Sequence, residues 1–244
     1  MPRTVLFIVN DPVATPALLA DAFSDSGFDV HSFEVVTSSQ VDEPVFDVAF
    51  PDLTSYDVVV PLGARWPVYD LALNKAWLGT EIAQVRAAHD AGVPILGVCF
   101  GGQLLAAALG GSVSRSPSPE LGWYDLDTDD SALVPGGPWF QWHFDRWTVP
   151  AGATEISRNP RASQAFTLGH SLALQFHPEL DTALLTRWLA DDRDGDVIRL
   201  GLDEAELLTR TAELEADAAT RVRALVRGFI ARADDSARSQ GPVA

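Results

Sequence analysis

The chain has 244 residues, with 34 Asp and Glu against 17 Lys and Arg, a formal net charge of −17 and a single cysteine, Cys99. One cysteine excludes an internal disulfide and a multi-cysteine metal site. An acid excess of this size repels phosphate backbones and anionic lipid, so neither nucleic acid nor a membrane surface is an expected partner, and the length suits one to two domains with an adequate core.

Taken in chain order, Met1-Pro2-Arg3 runs straight into an apolar segment too short for a signal peptide, and a cytoplasmic location is expected. Residues 4–9 predict a buried strand, 16–26 a helix, 28–36 a second strand and 56–62 a third, ending at Gly63. Residues 77–91 have helical spacing through Ile82, Val85 and Ala88, with Gly92 as the stop. Residues 93–98 predict a fourth strand and 101–109 a small-residue helix closed by Gly110-Gly111. The stretch 92–114 carries no charge, but its glycines and Pro94 divide it into a buried strand, turn and helix rather than a membrane span.

From Gly122 to Gln175 the pattern changes to short strands, at 123–126, 139–142, 147–149, 155–157, 165–167 and 171–176. They predict an antiparallel extension of the sheet. Beyond Glu179 the chain returns to helix, and 203–233 predicts two helices packing on the body or on a partner. The whole is an α/β fold: a mostly parallel central sheet with helices on both faces, over residues 1–195, a helical extension over 196–233 and a disordered tail over 234–244.

The chemistry concentrates in two places. In Gly97-Val98-Cys99-Phe100-Gly101-Gly102-Gln103, the cysteine lies between a buried strand and a helix, with glycines two residues to either side. A nucleophile on such a sharp turn needs small neighbours, and the N-terminus of the next helix favours a thiolate. In Gln175-Phe176-His177-Pro178-Glu179 a strand delivers His177, and Pro178 ends the strand so that Glu179 can turn back to the imidazole. Both motifs fall at carboxyl ends of strands, and together they supply nucleophile, base and orienting acid.

These two motifs resemble the signatures of class I (triad) glutamine amidotransferases, above all the glutaminase domain of GMP synthase and its stand-alone relatives. Glu120-Leu121-Gly122-Trp123, Trp142-His143-Phe144-Asp145, Val149-Pro150-Ala151-Gly152-Ala153 and Gln164-Ala165-Phe166 agree with it, and the resemblance covers residues 4–190. It implies a flavodoxin-like fold and a glutaminase in which Cys99 forms a γ-glutamyl thioester, His177 shuttles the proton and Glu179 holds its tautomer. It further implies oxyanion donors at Phe100 and in the loop at Gly63 and Ala64, and substrate contacts from Gln103 and from around Trp142 and His143. No cofactor and no metal is implied. A synthetase that takes up the ammonia is the implied partner, with a homodimer also admitted, because no Ser-Gly-Gly-x-Asp-Ser or Walker-type loop occurs in the chain.

One stretch departs from the family pattern. The expected Gly-Gly-Pro reads Gly63-Ala64-Arg65 here, with Val68-Tyr69-Asp70 fixing the register. Alanine resists positive φ, so a reshaped oxyanion hole is expected, and Arg65 is expected to add a cation that contacts substrate. Three alternatives follow: glutamine hydrolysis for a partner, hydrolysis of another γ-glutamyl compound by the chain alone, or a weakly catalytic regulatory homologue. His31, His89 and His170 are read as surface or loop residues, the acidic run 191–196 as a solvated loop, and the tryptophans mainly as core.

Overall fold

The computed structural model describes residues 2–239. Its parallel strands are β1 (Arg3–Val9), β2 (Phe28–Glu34), β3 (Val58–Pro61), β4 (Leu96–Val98) and β10 (Ser171–Leu174). They line up as β2-β1-β3 and β4-β10, and a parallel bridge from Val59 to Ile95 joins the two groups. Beyond β10 the sheet continues antiparallel through β9 (Ser163–Leu168), β8 (Thr154–Arg158) and β6 (Asp127–Thr128). Alternate residues of β1 show why its run is wholly apolar: Val5, Phe7 and Val9 enter one core, and Leu6 and Ile8 enter the other. A strand buried on both faces cannot alternate with polar residues.

Helices α1 (Ala17–Asp25) and α7 (Glu204–Ser239) cover one face, while α3 (Leu78–Asp90) and α4 (Phe100–Ala108) cover the other. The short helices are α2 (Leu71–Lys75) and α6 (Asp196–Arg199), and α5 (Thr182–Ala190) follows His177. Asp70 caps α2 by accepting from the Ala72 and Leu73 amides.

Two expectations are corrected. The middle section is more than short strands: β5 (Val113–Asp125) and β7 (Pro138–Trp147) form a long antiparallel ribbon of their own. Pro117 and Pro119 cannot donate to the ladder, and a register shift between Arg115 and Glu120 lets β5 continue past them. The C-terminal pair of helices is a single helix of 36 residues, continuous to Ser239, so 234–239 are helical and the remainder of the expected tail lies outside the described residues. Val222, Leu225, Val226 and Phe229 of α7 are fully buried in the same core as β1 and β4.

No helix among the described residues is long and apolar enough to cross a membrane. The carboxyl ends of β1, β3, β4 and β10 meet along one edge of the sheet, which places Asp11, Gly63, Cys99 and His177 around one cleft.

Candidate active site

Cys99 sits between β4 and α4 with φ 51° and ψ −106°, a conformation that a side chain occupies only under constraint. The constraint is visible in the hydrogen bonds: the Cys99 amide donates to the Leu174 carbonyl at 2.8 Å and the Gly101 amide to the Leu62 carbonyl at 3.1 Å, tying the turn to β10 and β3. A Cβ at Gly97 would meet the Gly101 carbonyl oxygen at 2.5 Å, and one at Gly101 would meet the Pro61 oxygen at 1.9 Å. The glycines flanking the cysteine are therefore required by close backbone approach, whereas the strained φ falls on Cys99 itself.

His177 follows β10, with its amide held by the Phe140 carbonyl at 2.8 Å. Its Nδ1 lies 2.7 Å from Glu179 Oε1, and the edge of Trp188 packs on the ring at 4.7 Å between centroids. Burial by itself lowers an imidazole pKa, but the Glu179 carboxylate and the Cys99 side chain outweigh it, and His177 is pushed up to about 10. The other nitrogen, Nε2, is buried against the Cys99 side chain and makes no hydrogen bond among the described residues; the thiol reaches toward the Trp142 carbonyl at 3.8 Å.

These groups open into a cleft of about 420 Å³ lined also by Gly63, Ala64, Arg65, Gln103, Trp142 and His143. All the site residues expected from the sequence are thus gathered on or beside this cleft, Phe100 and Glu179 lying just behind it. The amides of Phe100, Gly63 and Ala64 have no acceptor among the described residues. At Gly63 a Cβ would press on His177 Cε1 at 3.0 Å, so any side chain there would crowd the imidazole. The expectation of a reshaped hole is corrected at its premise: Ala64 is not among the residues with positive φ, so alanine fits the loop without strain. Arg65 lines the cleft, but in an ion pair. It is no free cation but is bound by Asp11 and Asp191, which hold its guanidinium protonated well beyond the ordinary range.

Behind the cleft lies a buried polar layer between the ribbon and the main sheet. The Gln103 amide nitrogen donates to the Asp145 carbonyl at 3.2 Å and to Gln175 Oε1 at 3.4 Å, and His143 Nδ1 meets the same Asp145 carbonyl at 3.0 Å. His143 Nε2 lies 3.2 Å from the buried Glu120 carboxylate, which also accepts from Asn159 and Gln164. The Glu-x-Gly-Trp and Trp-His-x-Asp stretches are therefore cross-strand partners on β5 and β7, Glu120 standing opposite His143.

Comparison with known proteins agrees with this fold. The family model described as glutamine amidotransferase class-I matches residues 19–191. The chain belongs to the class-I glutamine amidotransferase family. Among the curated relatives of this amidotransferase is a GMP synthase [glutamine-hydrolyzing] of Brucella melitensis biotype 1, 35% identical over 116 residues, which are 41% of this chain and 23% of that protein. The same enzyme of Brucella ovis matches at 35% over 22% of its length, so the amidotransferase spans under a quarter of the relatives it matches. A crystal structure of a glutamine amidotransferase from Thermotoga maritima superposes with a TM-score of 0.79 at 25% identity, over 93% of this chain and 98% of that one. One from Methylobacillus flagellatus shares the fold at 0.79, with 21% identity over 95% and 96% of the two chains.

Several cleft residues of the amidotransferase escaped the sequence reading. Asp11, Tyr69, Asp145 and Trp188 line the cleft, and the acidic run, read as a solvated loop, forms one of its walls. Trp66 and Trp142 reach the cleft as well as packing on the core, and His170 is buried, its ring tilted against His89 at 4.9 Å between centroids. Asp11, a polar residue two positions after a buried strand at the functional edge, had a signal that could have found it, as did Tyr69 and Asp145, which stand in the Val-Tyr-Asp and Trp-His-x-Asp stretches.

Proposed function

We propose that this chain hydrolyses the side-chain amide of glutamine to glutamate and ammonia through a Cys99–His177–Glu179 triad. The observation that carries the reading is a strained cysteine at the strand-to-helix turn beside a buried His177–Glu179 pair and unbonded amides. The Cys99 thiolate attacks the amide carbon, and the charge that develops on oxygen is met by the Phe100 amide and by the amides at Gly63 and Ala64. His177 gives its proton to the departing nitrogen, ammonia leaves, and a γ-glutamyl thioester remains. Water then attacks the thioester, His177 takes the water proton, and cleavage of the carbon–sulfur bond returns the thiolate. Glu179 keeps the ring oriented throughout. Gln103 and the backbone at Trp142 and His143 hold the amino-acid end of the substrate.

The ammonia goes to a synthetase carried by another chain or segment, a reading supported by the curated relatives, which this chain matches over less than a quarter of their length. A second reading, hydrolysis of a larger γ-glutamyl amide by the chain alone, draws support from the extension of the cleft past Cys99 to Arg115 and the 191–199 wall. Glutamate release from glutamine by the purified chain and by Cys99→Ala tests the proposal. The variant should fold and lose turnover by a factor of at least about 10³; a variant as active as the parent would remove Cys99 from the mechanism.

A further inference from the structure

Position 65 carries the sharpest departure from the loop the family resemblance implies. A proline there would stiffen the loop by fixing φ and would offer no N–H. Arg65 offers one, and the structure uses it: the amide donates to Asp11 Oδ2 at 3.2 Å, the side-chain Nε donates to the same oxygen at 2.7 Å, and Nη2 donates to Oδ1 at 2.9 Å. Three donors from one residue thus converge on one carboxylate. Nη2 also reaches Asp191 Oδ2 at 2.5 Å, beyond the end of α5. Asp11 is 3% exposed while the Arg65 side chain is 27% exposed, so the carboxylate end of the pair is shielded from solvent, and its forked geometry places it in the stronger class of ion pair.

The anchor is itself fixed. Asp11 follows β1 by one residue, its Oδ1 accepts from the Val13 amide at 3.1 Å, and its carbonyl accepts from the Ala14 amide at 2.9 Å. What the clamp holds is the neighbouring peptide at Ala64, which faces the cleft with its N–H unbonded. Two carboxylates on one guanidinium leave no surplus positive charge to attract a substrate anion.

We infer that Arg65 and Asp11 form a clamp that holds the Ala64 N–H in place as an oxyanion donor, standing in for the rigidity of a proline, so that Arg65 is a positioning residue and not a substrate contact. The inference rests on the reading of Cys99 as the nucleophile of an amide hydrolysis. It assigns the loop a dependence on charge pairing that a Gly-Gly-Pro loop does not have.

The test compares two reactions of the same thiol in the full chain. Amide hydrolysis, followed on glutamine or a γ-glutamyl anilide, needs the oxyanion donors; alkylation of Cys99 by iodoacetamide needs the thiolate but no oxyanion donor. Arg65→Gln should lower kcat about 10²-fold, the effect of one displaced oxyanion donor, with KM and the alkylation rate within about threefold of the parent. Arg65→Lys, which cannot fork, should fall between. Because Arg65→Gln leaves a buried carboxylate without its cation, Asp11→Asn and the Asp11→Asn, Arg65→Gln double variant are measured beside it. Their kcat losses should be non-additive, the double variant losing no more than either single one. A rise in KM with kcat retained would make Arg65 a substrate contact and overturn the clamp. Equal losses of hydrolysis and alkylation would reduce it to general packing, and unchanged kinetics would leave it without a role. Cys99→Ala separates the two levels of the argument: an active Cys99→Ala sinks the functional reading, whereas an inactive one beside a fully active Arg65→Gln sinks the clamp alone.

Discussion

Cys99 and Ala17 are the two non-glycine residues with positive φ among those described, and only Cys99 adjoins a buried imidazole. Backbone strain persists where the surroundings over-determine it, here through hydrogen bonds from both neighbouring strands. His177 titrates as part of the same unit. Its folded pKa is pushed from 6.5 up to about 10, so the protonated ring stabilises the fold fully below about pH 6.5, and that stabilisation is lost as pH rises through 10. The stability gap between the parent and His177→Asn, measured by urea unfolding, should therefore shrink from pH 6 to pH 10; a constant gap would mean that Glu179 and Cys99 do not hold the proton. The residues of the proposed triad were legible in the sequence because they sit in local patterns: glycines around the cysteine, proline after the histidine. The partners of Arg65 were not, because they lie 54 and 126 positions away and nothing local in Asp11 or Asp191 announces an ion pair.

The parallel strands were readable from their continuous apolar runs, since burial on both faces leaves no other pattern. The β5–β7 ribbon was not readable in full. Its polar buried face, with Glu120, Gln141, His143 and Asp145, mimics a surface pattern; Glu120 meets His143 across the ribbon, while Gln141 donates to Gln164 and Asp145 accepts from Tyr69, partners distant in sequence. Helix α3 holds a similar concealed residue. Glu81, in its first turn, is fully buried, and among the described residues its carboxylate is bonded only by Asn10 Nδ2, at 2.9 and 3.2 Å. Burial raises its pKa from 4.5 to about 8, against the smaller opposing effect of the Asn10 hydrogen bond. A raised carboxyl pKa costs stability as pH climbs through the unfolded value, and the cost is complete above the folded one. Glu81→Gln should then gain on the parent between about pH 4.5 and 8, by on the order of 3 kcal/mol at the upper end. Thermal unfolding of both across that range checks it, and a gain independent of pH would assign the effect to packing.

At the scale of the molecule, the C-terminal helix is part of the body that carries the site. Its middle enters the core beneath β1 and β4, and Glu215 accepts from the Thr182 amide and hydroxyl at the start of α5, the helix that follows His177 and Glu179. The sequence periodicity showed the apolar face of α7 but not its continuity, because 203–233 contains no feature that distinguishes one long helix from two short ones facing the same core. Phe229→Ala should destabilise the whole chain by about 3–5 kcal/mol in a single cooperative transition; loss of α7 alone, with the sheet still folded, would make the helix an independent appendage. The central claim, that the one cysteine is an amide-attacking nucleophile in a glutamine-shaped cleft, is open to a direct measurement. Intact-mass analysis after treatment with a glutamine-mimicking thiol alkylator should show one adduct per chain, on Cys99, formed more slowly when glutamine is present in excess. A chain that stays unlabelled while folded, or labels at the same rate with and without glutamine, would contradict it.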